Sequence, residues 1–187
     1  MSGSHSMRLL IATIITSLLS IVCFIVSYFV NVWWTVTTGN VDTIQGLWKA
    51  CQKYQNGTEI CTERTDLLSF KAKKGTDPII TCIIISVVFT IFILFASLSI
   101  VICCRKRTTT WYKTIQWMTF FVIISLVAAA DGMLYTEFEF KEELSNGKRG
   151  LAYMISWAGT GFQFILFILI IAQLCIRPPP TVDTNAW

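Results

Sequence analysis

Four stretches of this 187-residue chain are long, apolar and almost free of charge, and no other feature constrains its fold so tightly. Residues 9–48 hold one charge, Asp42, and begin with the apolar run 9–30. Residues 78–104 and 150–176 hold none. Residues 114–130 are also uncharged, and their apolar character continues past Asp131 to Tyr135. A helix needs about 20 mainly apolar residues to cross a bilayer. Each run therefore predicts one spanning helix, at residues 7–30, 78–104, 114–135 and 151–176. The composition, 54% hydrophobic and 14% charged, is far from that of a soluble domain. A cleaved signal peptide is the competing reading of the first run. That run is too long for a signal core, and no small-residue cleavage site follows it.

The formal charge of +4 is explained by its location, so it is no signature of nucleic-acid binding. Arg105, Lys106, Arg107 and Lys113 crowd the link at residues 105–113 between the second and third runs. Cytoplasmic loops are enriched in Lys and Arg, which places this link inside. An even number of helices then puts both termini in the cytoplasm, with Arg8 and Arg177 in agreement. Residues 31–77 and 136–150 become extracellular loops of a multi-pass plasma-membrane protein. Residues 1–6 (MSGSHS) read as a polar cytoplasmic tail or leader, and residues 177–187 as a cytoplasmic tail. The tail begins Pro178-Pro179-Pro180, extended and too short to fold alone.

Within the first loop, residues 31–61 interleave Thr, Val, Ile and Trp with turn residues at Gly39-Asn40 and Asn56-Gly57. That texture predicts short strands. Cys51 and Cys61 suit a hairpin closed by a disulfide, which requires an oxidising compartment. A redox or metal site is the alternative, but the sole histidine, His5, falls on the other side of the membrane. Asn56-Gly57-Thr58 is an N-glycosylation acceptor pattern inside the small loop. Trp33 and Trp34 fall at the outer boundary, either as interfacial anchors or as the fixed point from which the sheet starts. Trp48 is placed to pack on the disulfide or to wedge into the rim of the bundle. Gly46 predicts a close backbone approach. Lys71, Lys73 and Lys74 read as a solvated face, with anionic lipid, glycan or an ion path as alternatives. Pro78 reads as the start of the second helix.

Among the helices, the Ser and Thr hydroxyls of the first can bond back to its own carbonyls and do not call for a pore. Cys103 and Cys104 beside Arg105, and Cys175 at the inner end of the fourth helix, are candidate palmitoylation sites or simply unmodified cysteines. Ala128-Ala129-Ala130 and Gly132 on the third helix, and Ala158-Gly159 and Gly161 on the fourth, predict close approach between those two antiparallel neighbours. Asp131 is the one acidic residue within the apolar segments, about a turn from the outer boundary. Structural pairing or snorkelling is the simpler reading there, and ion coupling the sharper one. The fourth helix adds Gln163 and Gln173.

These residues resemble the claudin / peripheral myelin protein / epithelial membrane protein superfamily. The carriers are Trp33 or Trp34, then Gly46-Leu47-Trp48, Cys51 and Cys61, placed after the first of four spans. The short gap to Gly46, and Tyr153 to Trp157 at the start of the fourth helix, look most like epithelial membrane proteins and the lens fibre membrane intrinsic protein. The chain ends Thr184-Asn185-Ala186-Trp187, unlike the Tyr-Val ending of many claudins. The resemblance implies an all-α transmembrane four-helix bundle, left-handed, carrying a small extracellular antiparallel β-sheet. It also implies contacts between neighbours through that sheet. The charges available there are Lys49, Lys53, Glu59, Glu63 and Arg64. Thr62 stands where claudins often carry a selectivity charge, so no ion selectivity is expected.

No His-based dyad, paired carboxylates, phosphate-cradling glycine loop or metal set points to catalysis, and no cofactor is expected. The leading expectation is a non-catalytic tetraspan protein acting in cell–cell adhesion, junctions or membrane-domain organisation. Its partners would be the lipid bilayer and like or related tetraspan proteins, in cis and in trans. The alternative is an auxiliary subunit of a channel or receptor, as in the similar calcium-channel gamma subunits. A self-contained pore would need polar residues along several helices.

Overall fold

The computed structural model describes residues 2–63, 70–103, 108–143 and 147–176. Its elements are α1 (Ser2–Phe29), β1 (Trp34–Thr38), β2 (Val41–Gln45), β3 (Lys49–Tyr54), β4 (Glu59–Glu63), α2 (Phe70–Cys103), α3 (Thr108–Glu143), β5 (Lys148–Arg149) and α4 (Leu151–Ile176). The helices contain four segments long and apolar enough to cross a membrane: Met7–Phe29, Pro78–Ile102, Lys113–Phe138 and Leu151–Cys175.

The helices pack through narrow stripes. The main buried seam on α1 runs through Leu10, Thr13, Ser17, Ser20, Phe24 and Ser27, with Thr16 buried beside it, and that on α2 through Ile79, Ile83, Ser86, Thr90, Ile93, Ser97 and Ile100. These steps alternate between three and four residues. A mean period of 3.5 keeps one seam facing its neighbours, the geometry of a left-handed bundle. The seams are rich in Ser and Thr, while large side chains such as Ile15, Phe95 and Phe164 face outward. Lipid is as apolar as leucine, so burying leucine gains little. Small residues and interhelical hydrogen bonds hold membrane helices together instead.

Two apolar clusters fill the bundle. One, at the sheet end, gathers Phe24, Trp33, Trp34, Leu47, Ile83 and Met133. The other gathers Leu10, Ile93, Met118, Val122, Leu166 and Ile170. Between them lies a polar layer that joins three helices. Ser125 Oγ donates to Gln163 Oε1 at 2.8 Å, Gln163 Nε2 donates to Thr90 Oγ1 at 2.8 Å, and Ser86 Oγ reaches the Ser125 carbonyl at 3.1 Å. A second clamp sits nearer the other end, where Gln173 Nε2 donates to Thr13 Oγ1 at 2.7 Å. On α1, Thr13 and Ser17 do bond back to their own helix, but Ser20 crosses to the Gly159 carbonyl at 3.2 Å. The buried polar side chains therefore do more than back-bonding predicts. They carry helix-to-helix contacts, and the seam around Gln163 is filled by mutually bonded side chains.

The small residues serve other interfaces than expected. A Cβ on Gly132 would lie 2.8 Å from Cys82 Cβ on α2, and one on Gly159 would lie 3.2 Å from the Phe24 ring on α1. They tighten α2–α3 and α1–α4 rather than α3–α4. Helix bounds also differ from the apolar runs. α2 begins at Phe70, so Pro78 lies inside the helix rather than starting it. The helix runs on through the charged residues 71–77, which hydropathy excludes and which include Gly75, a poor helix former. The 36 residues of α3 make it about 54 Å long at 1.5 Å per residue, beyond the ~30 Å of a bilayer core. It thus takes up most of what reads as a loop at residues 136–150.

The five strands form one antiparallel sheet in the order β4-β3-β2-β1-β5. Gly39, with φ 61°, and Gly57, with φ 84°, stand at the β1–β2 and β3–β4 turns. Both need the left-handed region that glycine enters without a Cβ penalty. β5 comes from the link between α3 and α4 and pairs Trp34 with Arg149 and Thr35 with Lys148.

Candidate functional site: the sheet and its seat

The sheet is fixed to the bundle at its foot. Trp33 is fully buried and Trp34 nearly so, which rules out an interfacial-anchor role for both. Trp33 Nε1 donates to the Ser27 carbonyl at 3.0 Å, satisfying a carbonyl in the last turn of α1. Its own N–H bonds the Gln45 carbonyl, and its carbonyl accepts from Gly150 N–H, both at 2.9 Å. One residue thus ties α1, β2 and the start of α4. Leu47 is buried in the same cluster.

Gly46 sits where β2 turns into β3. A Cβ there would lie 2.6 Å from the Asn31 carbonyl oxygen and 2.8 Å from Asn31 Cα. Both obstacles are backbone, so no side chain can be accommodated without moving the chain. Of the first loop's three tryptophans, Trp48 is the exposed one, at 40%. It lies against the end of α1, at the rim of the bundle. Its Nε1 donates to the Tyr28 carbonyl at 3.2 Å, and its ring meets that of Tyr28 edge-on at 5.1 Å.

A clasp on the far side secures β5. Glu137 near the outer part of α3 pairs with Arg149 and accepts a 2.5 Å bond from the Tyr153 hydroxyl. Arg149 lies 5.7 Å from the centroid of the Tyr153 ring, whose edge in turn meets Trp34. The hydrogen bond to Glu137, and then its charge, raise the Arg149 guanidinium above its ordinary pKa. Sequence reading missed this group, because Glu137 and Arg149 look like ordinary loop charges until α3 is seen to extend past the membrane.

Cys51 and Cys61 face each other directly across β3 and β4 and are joined by a disulfide. Glu59 lies close to both sulfurs, but the disulfide leaves no thiolate to bind a metal. Opposed residues in an antiparallel pair share a face, so the register sorts the sheet into two. The disulfide face carries the row Thr37, Asp42, Lys53 and Glu59, in which Thr37 Oγ1 donates to Asp42 Oδ1 at 2.7 Å. Its charges alternate in sign across the strands. The opposite face carries Val36, Thr43, Gln52 and Ile60, then Thr38, Val41 and Tyr54, with no charged side chain in either row. Ile60 is half exposed there. β4 is the outer strand, and its far edge has no strand partner among the described residues.

Asn56 caps the β3–β4 turn, its Oδ1 accepting from Thr58 N–H at 3.0 Å, at an exposed tip. Cys175 is free and exposed at the end of α4. Asp131 is exposed on the side of α3. Lys49 is exposed at the start of β3. Several expected features lie outside the described residues: Arg64, Cys104, Arg105–Arg107 and the tail, together with the side chains of His5, Thr62, Glu63, Lys71, Lys73, Lys74 and Cys103.

A bundle of four membrane-spanning helices whose first loop forms a disulfide-bonded sheet seated on the helix ends defines a tetraspan membrane protein. The chain belongs to the PMP-22/EMP/MP20/Claudin family, whose model matches residues 6–170. No curated protein matches the chain beyond that family-level likeness.

Proposed function

We propose that this tetraspan protein is non-catalytic and organises cell–cell contacts or membrane domains at the plasma membrane through its sheet. The sheet would face the extracellular space, with both termini and the basic link at residues 105–113 in the cytoplasm. The Cys51–Cys61 disulfide, which needs an oxidising compartment, and the exposed Asn56 turn support that orientation. We take Asn56 as glycosylated, and Cys103, Cys104 and Cys175 as candidates for acylation.

One observation carries the reading. The sheet is held at its foot by Trp33, Gly46 and Gly150, yet its outer strand has no strand partner among the described residues and Ile60 stays half exposed. A fixed platform with an open edge suits pairing with another protein's surface, in cis or in trans. The two uncharged rows and the alternating row on the other face do not concentrate one sign of charge, which argues against a charge-selective path.

The test is a cell-mixing assay in cells without junctions, comparing wild type with surface-delivered Cys51→Ser/Cys61→Ser. Accumulation of wild type, but not of the mutant, at contacts between expressing cells is expected. Even spread of wild type over the surface would defeat trans-adhesion. It would favour the second reading, an auxiliary subunit of a channel or receptor. That reading draws support from the lateral aromatic patch of Phe92, Phe121 and Trp117, in which Phe92 stacks on Phe121, Trp117 lies tilted beside it, and Trp117 stays 62% exposed.

A further inference from the structure

The two sulfurs of the Cys51–Cys61 bridge stand in different surroundings. β3 places Lys49 and Lys53 two residues either side of Cys51, and all three share the disulfide face. Side chains two apart on a strand stand about 7 Å from one another, so the Cys51 sulfur lies between two ammonium groups on its own strand. On β4, a Glu59 carboxylate oxygen lies 3.6 Å from Cys61 Sγ. Exposure differs as well. Cys61 is exposed on the outer strand, and no strand lies beyond it among the described residues. Cys51 is half-buried, with Ile44 of β2 directly opposite it on its other side.

We infer that this bridge is a thiol-exchange site, at which a dithiol oxidoreductase attacks Cys61 and expels Cys51 as a thiolate. An incoming thiolate approaches from behind the sulfur it attacks, away from the sulfur that leaves. Behind Cys61 lies the outer margin of β4, and behind Cys51 lies β2, so access selects Cys61. The leaving group favours the same choice. A sulfur departs faster the better its thiolate is stabilised, and neighbouring lysines stabilise a thiolate. Attack on Cys51 would instead put the negative charge on Cys61, beside the Glu59 carboxylate. The first step forms a mixed disulfide on Cys61 as the Cys51–Cys61 bond breaks, and the Cys51 thiolate takes up a proton. The second thiol of the oxidoreductase, as its thiolate, then attacks its own partner sulfur in the mixed disulfide and releases Cys61, which is protonated in turn. Two electrons pass from the dithiol, now a disulfide, to the bridge, now two thiols. Exposed disulfides belong to the labile class. Reduction would unfasten β4 from β3 while Trp33 and Leu47 stay in the bundle cluster, and the chemistry holds whether or not the sheet mediates cell contacts.

The full-length protein in nanodiscs, its free thiols first blocked with N-ethylmaleimide, tests this against a thioredoxin whose second active-site cysteine is serine, so that the mixed disulfide persists. Alkylation of the newly freed thiol with an isotopic maleimide, followed by peptide mapping, should place the thioredoxin on Cys61 and the maleimide on Cys51. At equal thiolate concentration, 2-mercaptoethanol should reduce Lys49→Gln/Lys53→Gln about threefold more slowly than wild type. Lys49→Arg/Lys53→Arg, which keeps both charges, and Lys148→Gln, at the far edge of the sheet, should react at the wild-type rate. A variant that merely weakened the hairpin would react faster, so the two roles move the rate in opposite directions. Thioredoxin attached to Cys51, or an unchanged or faster rate in the glutamine double variant, would overturn the proposal. A wild-type rate that does not rise with thiol concentration would also overturn it, because the bridge would then open only after the sheet unfolds.

Discussion

Gln163 on α4 accepts from Ser125 on α3 through one amide atom and donates to Thr90 on α2 through the other, each at 2.8 Å. A single side chain thus joins three helices within a layer flanked on both sides by apolar packing. Gln163→Leu keeps the size and removes both bonds. Hydrogen bonds inside membranes average about 0.6 kcal/mol and reach about 1.7, so the loss of both should cost about 1–2 kcal/mol. Unfolding in mixed micelles, followed by disulfide-independent loss of helix packing, measures it. An unchanged midpoint would mean that Ser125 and Thr90 find equally good partners.

Gly46 and Gly161 offer a paired test of backbone approach. Gly46→Ala places a methyl against the Asn31 backbone, whereas nothing lies within 4 Å of a Cβ at Gly161. The first substitution should destabilise the sheet by about 2 kcal/mol or more, and the second should stay within about 0.5. Protease resistance of the sheet in both variants, compared with wild type, decides between these outcomes.

Removing the Cys51–Cys61 disulfide, which closes a loop of sequence separation 10, should cost about 2–3 kcal/mol. The loss should be local. Trp33 and Leu47 remain plugged into the bundle, so limited proteolysis should cut β3 and β4 while the spans stay protected. Cleavage that spreads into α2 would show that the disulfide also supports the bundle.

Glu137→Gln should loosen β5. The readout is faster amide exchange at Gly150 and Ala152, whose N–H groups bond the Trp33 and Val32 carbonyls, with the Gly46 amide unchanged as an internal reference. Raising the pH to about 9, below the ordinary tyrosine and guanidinium ranges, should not mimic the mutation. The Arg149 value is raised, so its contribution is fully present below the ordinary guanidinium range and is lost only above it, beyond about pH 12.

The parts of this fold that are local or compositional were legible in sequence. Charge-free runs give the four spans, and Gly39-Asn40 and Asn56-Gly57 give two hairpin turns whose positive φ angles require glycine. What escaped depends on partners distant in the chain. Trp33 and Trp34 look like interfacial tryptophans, and only the closure of the sheet over the helix ends buries them. Ser20 looks like a back-bonding hydroxyl, and only the packing of α1 on α4 turns it across to the Gly159 carbonyl. Pro78 reads as a helix start because apolar content marks the membrane, whereas the helix begins eight residues earlier, at Phe70.

The position of β5 has a consequence for biogenesis. The strand that completes the sheet beside β1 is made only after the third helix, and the carbonyls of Val32 and Trp33 await amides at the head of the fourth. During synthesis β1 therefore lacks its β5 neighbour until α3 has been made. A chain truncated before β5 would leave that edge of the sheet, and the Val32 and Trp33 carbonyls, without these partners.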